Sequence, residues 1–176
     1  DLGLITPGNL VSGEDTETHK RLYKILDELI QNHKTTLIFT NTRAATERII
    51  HYLDLHFPGR YNELIGAHHS SMSKHKRFEI EDKLRRGELK VVVSSTSLEL
   101  GIDIGSIDLV ILMRSPKGVA RALQRIGRAG HKLHDNPKGR FIVMDRDDLV
   151  ECCVLMKNIV ENKTKECLKC NENKYL

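Results

Sequence analysis

The sequence predicts an α/β fold: one domain with a parallel, doubly wound sheet flanked by helices. Three observations predict the sheet and its helical layers. Short β-prone runs alternate with helical segments about five times along the chain. Several runs, among them Val91-Val92-Val93 and Leu109-Val110-Ile111-Leu112-Met113, show little polar alternation, as strands covered on both faces do. The 176 residues, 39% hydrophobic and 30% charged, suffice for one sizeable core and are not composed like a disordered chain.

Each element has its own signal. Residues 1–16, with Pro7, Gly8 and Gly13, read as a leading linker. From Thr18 to His33 the positions Leu22, Ile25, Leu26, Leu29 and Ile30 repeat as on an amphipathic helix. Residues 35–40 (TTLIFT) read as a strand, followed by a helix over 44–57 that Pro58-Gly59 stops. Residues 64–67 are a weaker strand, and 73–86 a charged helix ended by Gly87. Strands follow at 90–95 and 107–113, then a basic helix over 117–129, a strand at 140–144 and a helix at 147–161. The domain is expected over 17–162, with 163–176 a polar tail or the start of a following domain.

In a doubly wound sheet, ligands bind outside the carboxyl ends of the strands. The segments that follow four of the strands are polar: Asn41-Thr42-Arg43, His68-His69-Ser70-Ser71, the run from Thr96 to Asp103, and Arg114-Ser115-Pro116-Lys117-Gly118. The last leads into a stretch without acids between Leu109 and His134, which carries Arg114, Lys117, Arg121, Arg125, Arg128 and Lys132. Wound as a helix at about 100° per residue, it puts Lys117, Arg121, Arg125 and Arg128 on one face and Val119, Ala122, Leu123, Ile126 and Ala129 on the other. Such a stripe points to an anion supplied from outside. Gly127 and Gly130 beside Arg128 suit a sharp turn and a phosphate held by a guanidinium fork.

The net charge of +4, from 28 basic and 24 acidic residues, does not by itself identify a nucleic-acid partner. Aromatic residues make up 5% and Trp is absent, which argues against a base-stacking platform and for phosphate contacts. No signal peptide or membrane span is evident, and a reduced, cytoplasmic protein is expected. Cys167 and Cys170 form half a zinc knuckle without a second pair, so no metal site is assigned; Cys152 and Cys153 read as core. His68, His69 and His75 read as surface or phosphate-facing residues. Asp145, Asp147 and Asp148 read as caps of the last helix.

Four segments together resemble the second RecA-like lobe of superfamily 2 helicases, with the closest match to the large helicase-related (Lhr) family. Residues 36–43 (TLIFTNTR) resemble helicase motif IV, and 69–77 (HSSMSKHKR) the segment continuing it. Residues 94–104 (SSTSLELGIDI) resemble motif V, and 124–131 (QRIGRAGH) motif VI. The four in order, expected on one sheet edge, carry the resemblance together. It makes Arg128 the arginine finger for a γ-phosphate bound to the other lobe, Gln124 a contact of the nucleotide or its attacking water, and Arg125 an inter-lobe or inter-motif brace. Gly101 and Asp103 would lie near the nucleotide, and Asn41, Arg43, Ser70, Arg77, Ser95 and Thr96 would grip a single strand. His131 stands where many members carry a second arginine, and Ser70 replaces a common glycine.

The chain has neither a G-x-x-x-x-G-K-[ST] loop nor an Asp-Glu-x-His or Asp-Glu-Ala-Asp box. The resemblance implies that ATP and Mg²⁺ are held mainly by a first RecA-like lobe of the same polypeptide, and that this chain alone is inactive. Two alternatives remain on the residues alone: a stand-alone nucleic-acid-binding module without an ATP role, and a phosphate sensor on a flavodoxin-like sheet.

Overall fold

The computed structural model describes residues 1–8, 16–95, 98, 104–129 and 137–172, with side chains as far as Glu161. Six strands form one sheet: β1 (Leu2–Ile5), β2 (Thr36–Phe39), β3 (Ile65–His68), β4 (Val91–Ser94), β5 (Leu109–Met113) and β6 (Gly139–Ile142). Five helices join them: α1 (Thr16–Gln31), α2 (Arg43–His56), α3 (Lys74–Arg85), α4 (Val119–Ile126) and α5 (Arg146–Glu172). The spatial order is β1-β6-β5-β2-β4-β3 and every pairing is parallel, so all carboxyl ends share one edge.

Side chains alternate across a strand, and here both sets are apolar. Leu37, Phe39, Val92, Val110 and Leu112 pack with Leu84 of α3, Ala122 and Ile126 of α4 and Cys152 and Ile159 of α5. Ile38, Val91, Val93, Leu109 and Ile111 pack with Leu22, Leu26 and Ile30 of α1 and Ile49 and Leu53 of α2. The helices thus cover both faces, which is the doubly wound α/β architecture.

Three elements differ from expectation. Residues 2–5, expected within a linker, form β1, paired with β6 from Leu2↔Gly139 to Ile5↔Ile142. A half-buried edge strand of four residues leaves no long apolar run to find. The basic helix is shorter than 117–129: Lys117 has φ 62° and Gly118 is the N-cap, so Lys117 lies outside the helical face. Helix α5 continues past Glu161 to Glu172.

The connections reverse direction at the centre of the sheet. From β2 the chain moves outward to β3, and from β4 it passes back over β2 to β5. The carboxyl ends of β2 and β5 therefore sit side by side at the topological switch point.

Candidate nucleotide and nucleic-acid interface

The turn after β2 is built for rigidity. Thr40 is buried, and its Oγ1 lies 2.8 Å from Thr46 Oγ1. Thr42 caps α2 by accepting from the Ala45 N–H at 3.1 Å. This leaves Arg43 exposed as the first residue of α2, whose first turn contains no acid. The Asn41 amide is engaged within the chain: Nδ2 donates to the Ser115 carbonyl at 2.9 Å and Oδ1 accepts from Arg125 Nη1 at 3.4 Å.

Of the three histidines expected to be surface or phosphate-facing, His68, the last residue of β3, and His69 in the turn after it are buried, and His75 is exposed. His68 Nε2 and Glu81 Oε1 are 2.8 Å apart, as are His69 Nε2 and Glu47 Oε1. Carboxylates accept, so each imidazole donates there. Ser70 is exposed, and Ser73 caps α3 by accepting from the Lys76 N–H. Arg77 is half-buried in the first turn of α3, with Nε unpartnered among the described residues. Ser95, at the end of β4, is buried and donates its N–H to the His68 carbonyl at 3.2 Å.

Burial pushes the His68 pKa below the ordinary histidine value, with the Glu81 hydrogen bond opposing it. The folded state then binds fewer protons than the unfolded chain just below pH 6.5, so the neutral side chain's full contribution is present above that value and is lost as pH falls. Thermal unfolding should therefore show stability declining from pH 7.5 to 5.5. His68→Gln, whose amide still donates to Glu81, should reduce that slope by at most one proton, about 1.4 kcal/mol per pH unit. An unchanged slope in the variant would exclude His68 as its source.

The turn after β5 is tied to α5. Asp145 Oδ1 caps that helix from the Asp148 N–H at 2.8 Å, and Asp148 Oδ1 accepts the Ser115 N–H at 3.3 Å. Desolvation raises the Asp148 pKa above the ordinary carboxylate value. Arg114 meets Asp145 at 3.0 Å, and Lys117 meets Glu151 at 2.6 Å. Two cations of the acid-free window, one of them from the expected stripe, are thus answered by acids at and just before the start of α5, outside that window.

Arg125 corrects the expected helical face. It is 1% exposed, whereas Leu123 is 39% exposed. The inward positions of α4 are Ala122, Arg125 and Ile126, an i, i+3, i+4 set that turns the helix away from the wheel drawn on apolarity alone. The guanidinium carbon of Arg125 lies 5.1 Å from the Phe39 ring centroid, which offers a partly desolvated cation a favourable electrostatic surface. Gln124 is exposed and Arg128 half-buried. The Arg128 N–H donates to the Arg125 carbonyl at 3.1 Å. Gly127 has an ordinary helical φ of −63°, but a Cβ there would stand 3.0 Å from the Leu123 carbonyl.

The expectation of a single edge also changes for motif VI. Helix α4 starts at the carboxyl edge and runs back across the sheet face. A Cβ on Gly139, at the start of β6, would lie 3.2 Å from Ile126, and Ala129 bridges Ile107 just before β5. Residues 124–129 therefore lie along the face, beside the end of the connection that carries motif V. Thr96, Gly101, Asp103 and His131 lie outside the described residues, as do the side chains of Cys167 and Cys170.

Other contacts had no sequence signal. Tyr23 stacks with Tyr52 at 5.2 Å and with His56 at 5.3 Å between α1 and α2. Beside them a cavity of about 300 Å³ opens at the switch point, floored by Leu22, Tyr23, Ile49 and Met113 and rimmed by Asn41 and Arg48. Cys152 is buried and its thiol is pushed up to about 12, while Cys153 is exposed rather than core. No three His, Cys, Asp or Glu side chains converge among the described residues, and no helix there is long and apolar enough to cross a membrane.

A doubly wound parallel sheet carrying motifs IV to VI in this order has the architecture of a RecA-like helicase lobe. The model of the helicase conserved C-terminal domain matches residues 18–132. The chain belongs to that family, with a sequence of the Lhr type. It is 57% identical over 175 residues to the ATP-dependent helicase Lhr-Core of Methanothermobacter thermautotrophicus, covering 98% of this chain and 20% of that one. With the Lhr-Core of Sulfolobus acidocaldarius the identity is 54% over 167 residues, or 93% of this chain and 19% of the other. The chain thus spans about a fifth of these relatives. Among solved structures, the Mycobacterium smegmatis helicase Lhr bound to ssDNA and AMP-PNP is similar at TM-score 0.83 and 33% identity, over 92% of this chain and 22% of that one. The C-terminal domain of the DEAD-box protein Dbp5 shares the fold at TM-score 0.67 and 18% identity, over 89% of this chain and 83% of that domain.

Proposed function

We propose that this chain is the second RecA-like lobe of an ATP-driven DNA or RNA helicase, supplying an arginine finger and part of a single-strand grip. The observation that carries this reading is the Ile107–Ala129 bridge, which seats the end of the motif VI segment beside the end of the motif V connection. Arg128 then serves the γ-phosphate, Gln124 the nucleotide or its attacking water, and Gly101, Asp103 and His131 the same cleft. Arg125 braces motif VI from within. Arg43, Ser70, Arg77, Ser95 and Thr96 are assigned to the grip on the strand backbone. ATP and Mg²⁺ are held mainly by the first lobe of the same polypeptide, since the Arg128 fork suits phosphate oxygens but the described residues offer no cluster of metal-binding acids. The ssDNA and AMP-PNP bound by the similar mycobacterial helicase support a strand and a nucleotide as partners.

ATP turnover with and without single strands tests the reading. The full-length protein should hydrolyse ATP faster with strand, and the isolated 176-residue chain should not turn over ATP. Robust Mg²⁺-dependent turnover by the isolated chain would defeat the lobe assignment. A full-length protein that binds strands but has no ATPase would favour the stand-alone binding module.

The grip makes a second, separable expectation. Single-strand affinity falls with salt at a slope of about −0.7 per phosphate neutralised. Arg77→Ala should weaken all sequences alike and flatten the slope by about 0.7. A titration at several salt concentrations that returned an unaltered slope, or a sequence-selective loss, would remove Arg77 from the grip.

A further inference from the structure

The Asn41 amide joins two segments that the sequence keeps far apart. Its nitrogen faces the Ser115 carbonyl at 2.9 Å and its oxygen faces the Arg125 guanidinium at 3.4 Å. Only one orientation of the amide satisfies both partners, because a carbonyl needs a donor and a guanidinium needs an acceptor. Each partner is itself anchored. Ser115 donates its N–H to Asp148 Oδ1 at 3.3 Å, and Arg125, 1% exposed, lies over Phe39. The Arg125 carbonyl receives the N–H of Arg128 at 3.1 Å. On its other side Asn41 is two residues from Arg43, exposed at the start of α2. A continuous line therefore runs from Arg43 through Asn41 and Arg125 to Arg128. The Ser115 carbonyl takes one amide N–H and Arg125 one side of the amide oxygen, so the link from residue 41 to Arg125 is already made without a strand.

Resting on the function proposed above, we propose that Asn41 is a positioning residue and not a strand ligand. Its amide transmits displacement of residues 41–43, caused by strand engagement, through Arg125 to the arginine finger. The role deepens the helicase reading by naming the contact through which strand binding alters ATP turnover.

The test compares wild type, Asn41→Ala and Asn41→Asp in the full-length protein. It measures ATP turnover without strand and with saturating homopolymeric single-stranded DNA, together with strand affinity in the absence of nucleotide. Asn41→Ala should lower the ratio of stimulated to unstimulated turnover roughly tenfold, the scale of losing one hydrogen bond to a charged group, with strand affinity within about twofold of wild type. Asn41→Asp keeps an oxygen for Arg125 but sets a second oxygen against the Ser115 carbonyl, so its ratio should fall as well. Proportional loss of both rates in Asn41→Ala, as from a misfolded variant, leaves the ratio unmoved and overturns the relay. So does a loss of strand affinity of about tenfold, which would make Asn41 a ligand. A wild-type ratio in Asn41→Asp overturns the two-sided link. If the wild type itself shows no stimulation, the helicase reading fails and the relay with it; stimulation in the wild type with an unchanged ratio in Asn41→Ala overturns the relay alone.

Discussion

In the full-length protein, Arg128→Ala is expected to remove most ATP turnover, by a factor of about 10³–10⁵ if the residue acts as arginine fingers do in GTPases. The reasoning begins with where the residue sits. Arg128 is half-buried just past the end of α4, and its N–H is fixed to the Arg125 carbonyl at 3.1 Å. That backbone bond survives truncation to alanine, and losing the half-buried side chain is expected to cost about the 1 kcal/mol typical of single substitutions. On the proposed reading, the guanidinium would contribute when a nucleotide is brought to it, by neutralising charge that develops in the transition state. Arg128→Lys should recover little, because an ammonium cannot reproduce the planar two-point fork. Strand affinity without nucleotide should persist, since the proposed grip lies at the turns after β2, β3 and β4. Turnover, thermal unfolding and strand affinity, measured on one variant, decide the matter. Preserved turnover with collapsed strand binding would make Arg128 a nucleic-acid ligand.

Arg125→Ala should behave differently, although only two residues lie between the two arginines. Its side chain is 1% exposed, lies over Phe39 and donates to Asn41. Truncation removes a desolvated cation–π contact and a charge-assisted hydrogen bond, opens a cavity beside Phe39, and strands the Asn41 oxygen. Together these should cost about 3 kcal/mol. For a domain of this size that corresponds to a fall in Tm of about 6–12 °C. Arg125→Met, which refills the volume without the charge, should recover much of the Tm. It cannot donate to Asn41, so strand-stimulated turnover should stay low. A Tm for Arg125→Ala within 2 °C or so of wild type would mean that the buried guanidinium is not structural.

These two arginines show where sequence reasoning succeeds and where it stops. The parallel sheet was legible because β2, β4 and β5 are buried on both faces, and double burial demands apolar runs. Strand β1 was not, because a half-buried edge of four residues makes no such demand. The motif segments were readable as short patterns, and the all-parallel order places the turns after β2, β3, β4 and β5 on one edge. The orientation of α4 was not readable, because the wheel treats every arginine as solvent-seeking. Nothing local in the chain shows that Phe39 and Asn41, more than 80 residues earlier, form a niche for Arg125. The acids opposing Arg114 and Lys117 were hidden for the same reason: they stand on and just before α5, outside the window where charge was counted. Burial of His68 and His69 likewise depends on carboxylates that α3 and α2 bring to them.

Those two histidines have a mechanical consequence. Adjacent residues at a strand end project to opposite sides, so His68 is tied to Glu81 of α3 and His69 to Glu47 of α2. The helices belong to different layers, yet both tethers leave the same stretch of backbone. Sliding either helical layer along the sheet would therefore strain the tether to that layer and pull on the one stretch of backbone both share. This corner of the molecule is in effect a rivet through all three layers, and it fixes the turn that carries Ser70 and leads into Arg77 to the stacking of those layers.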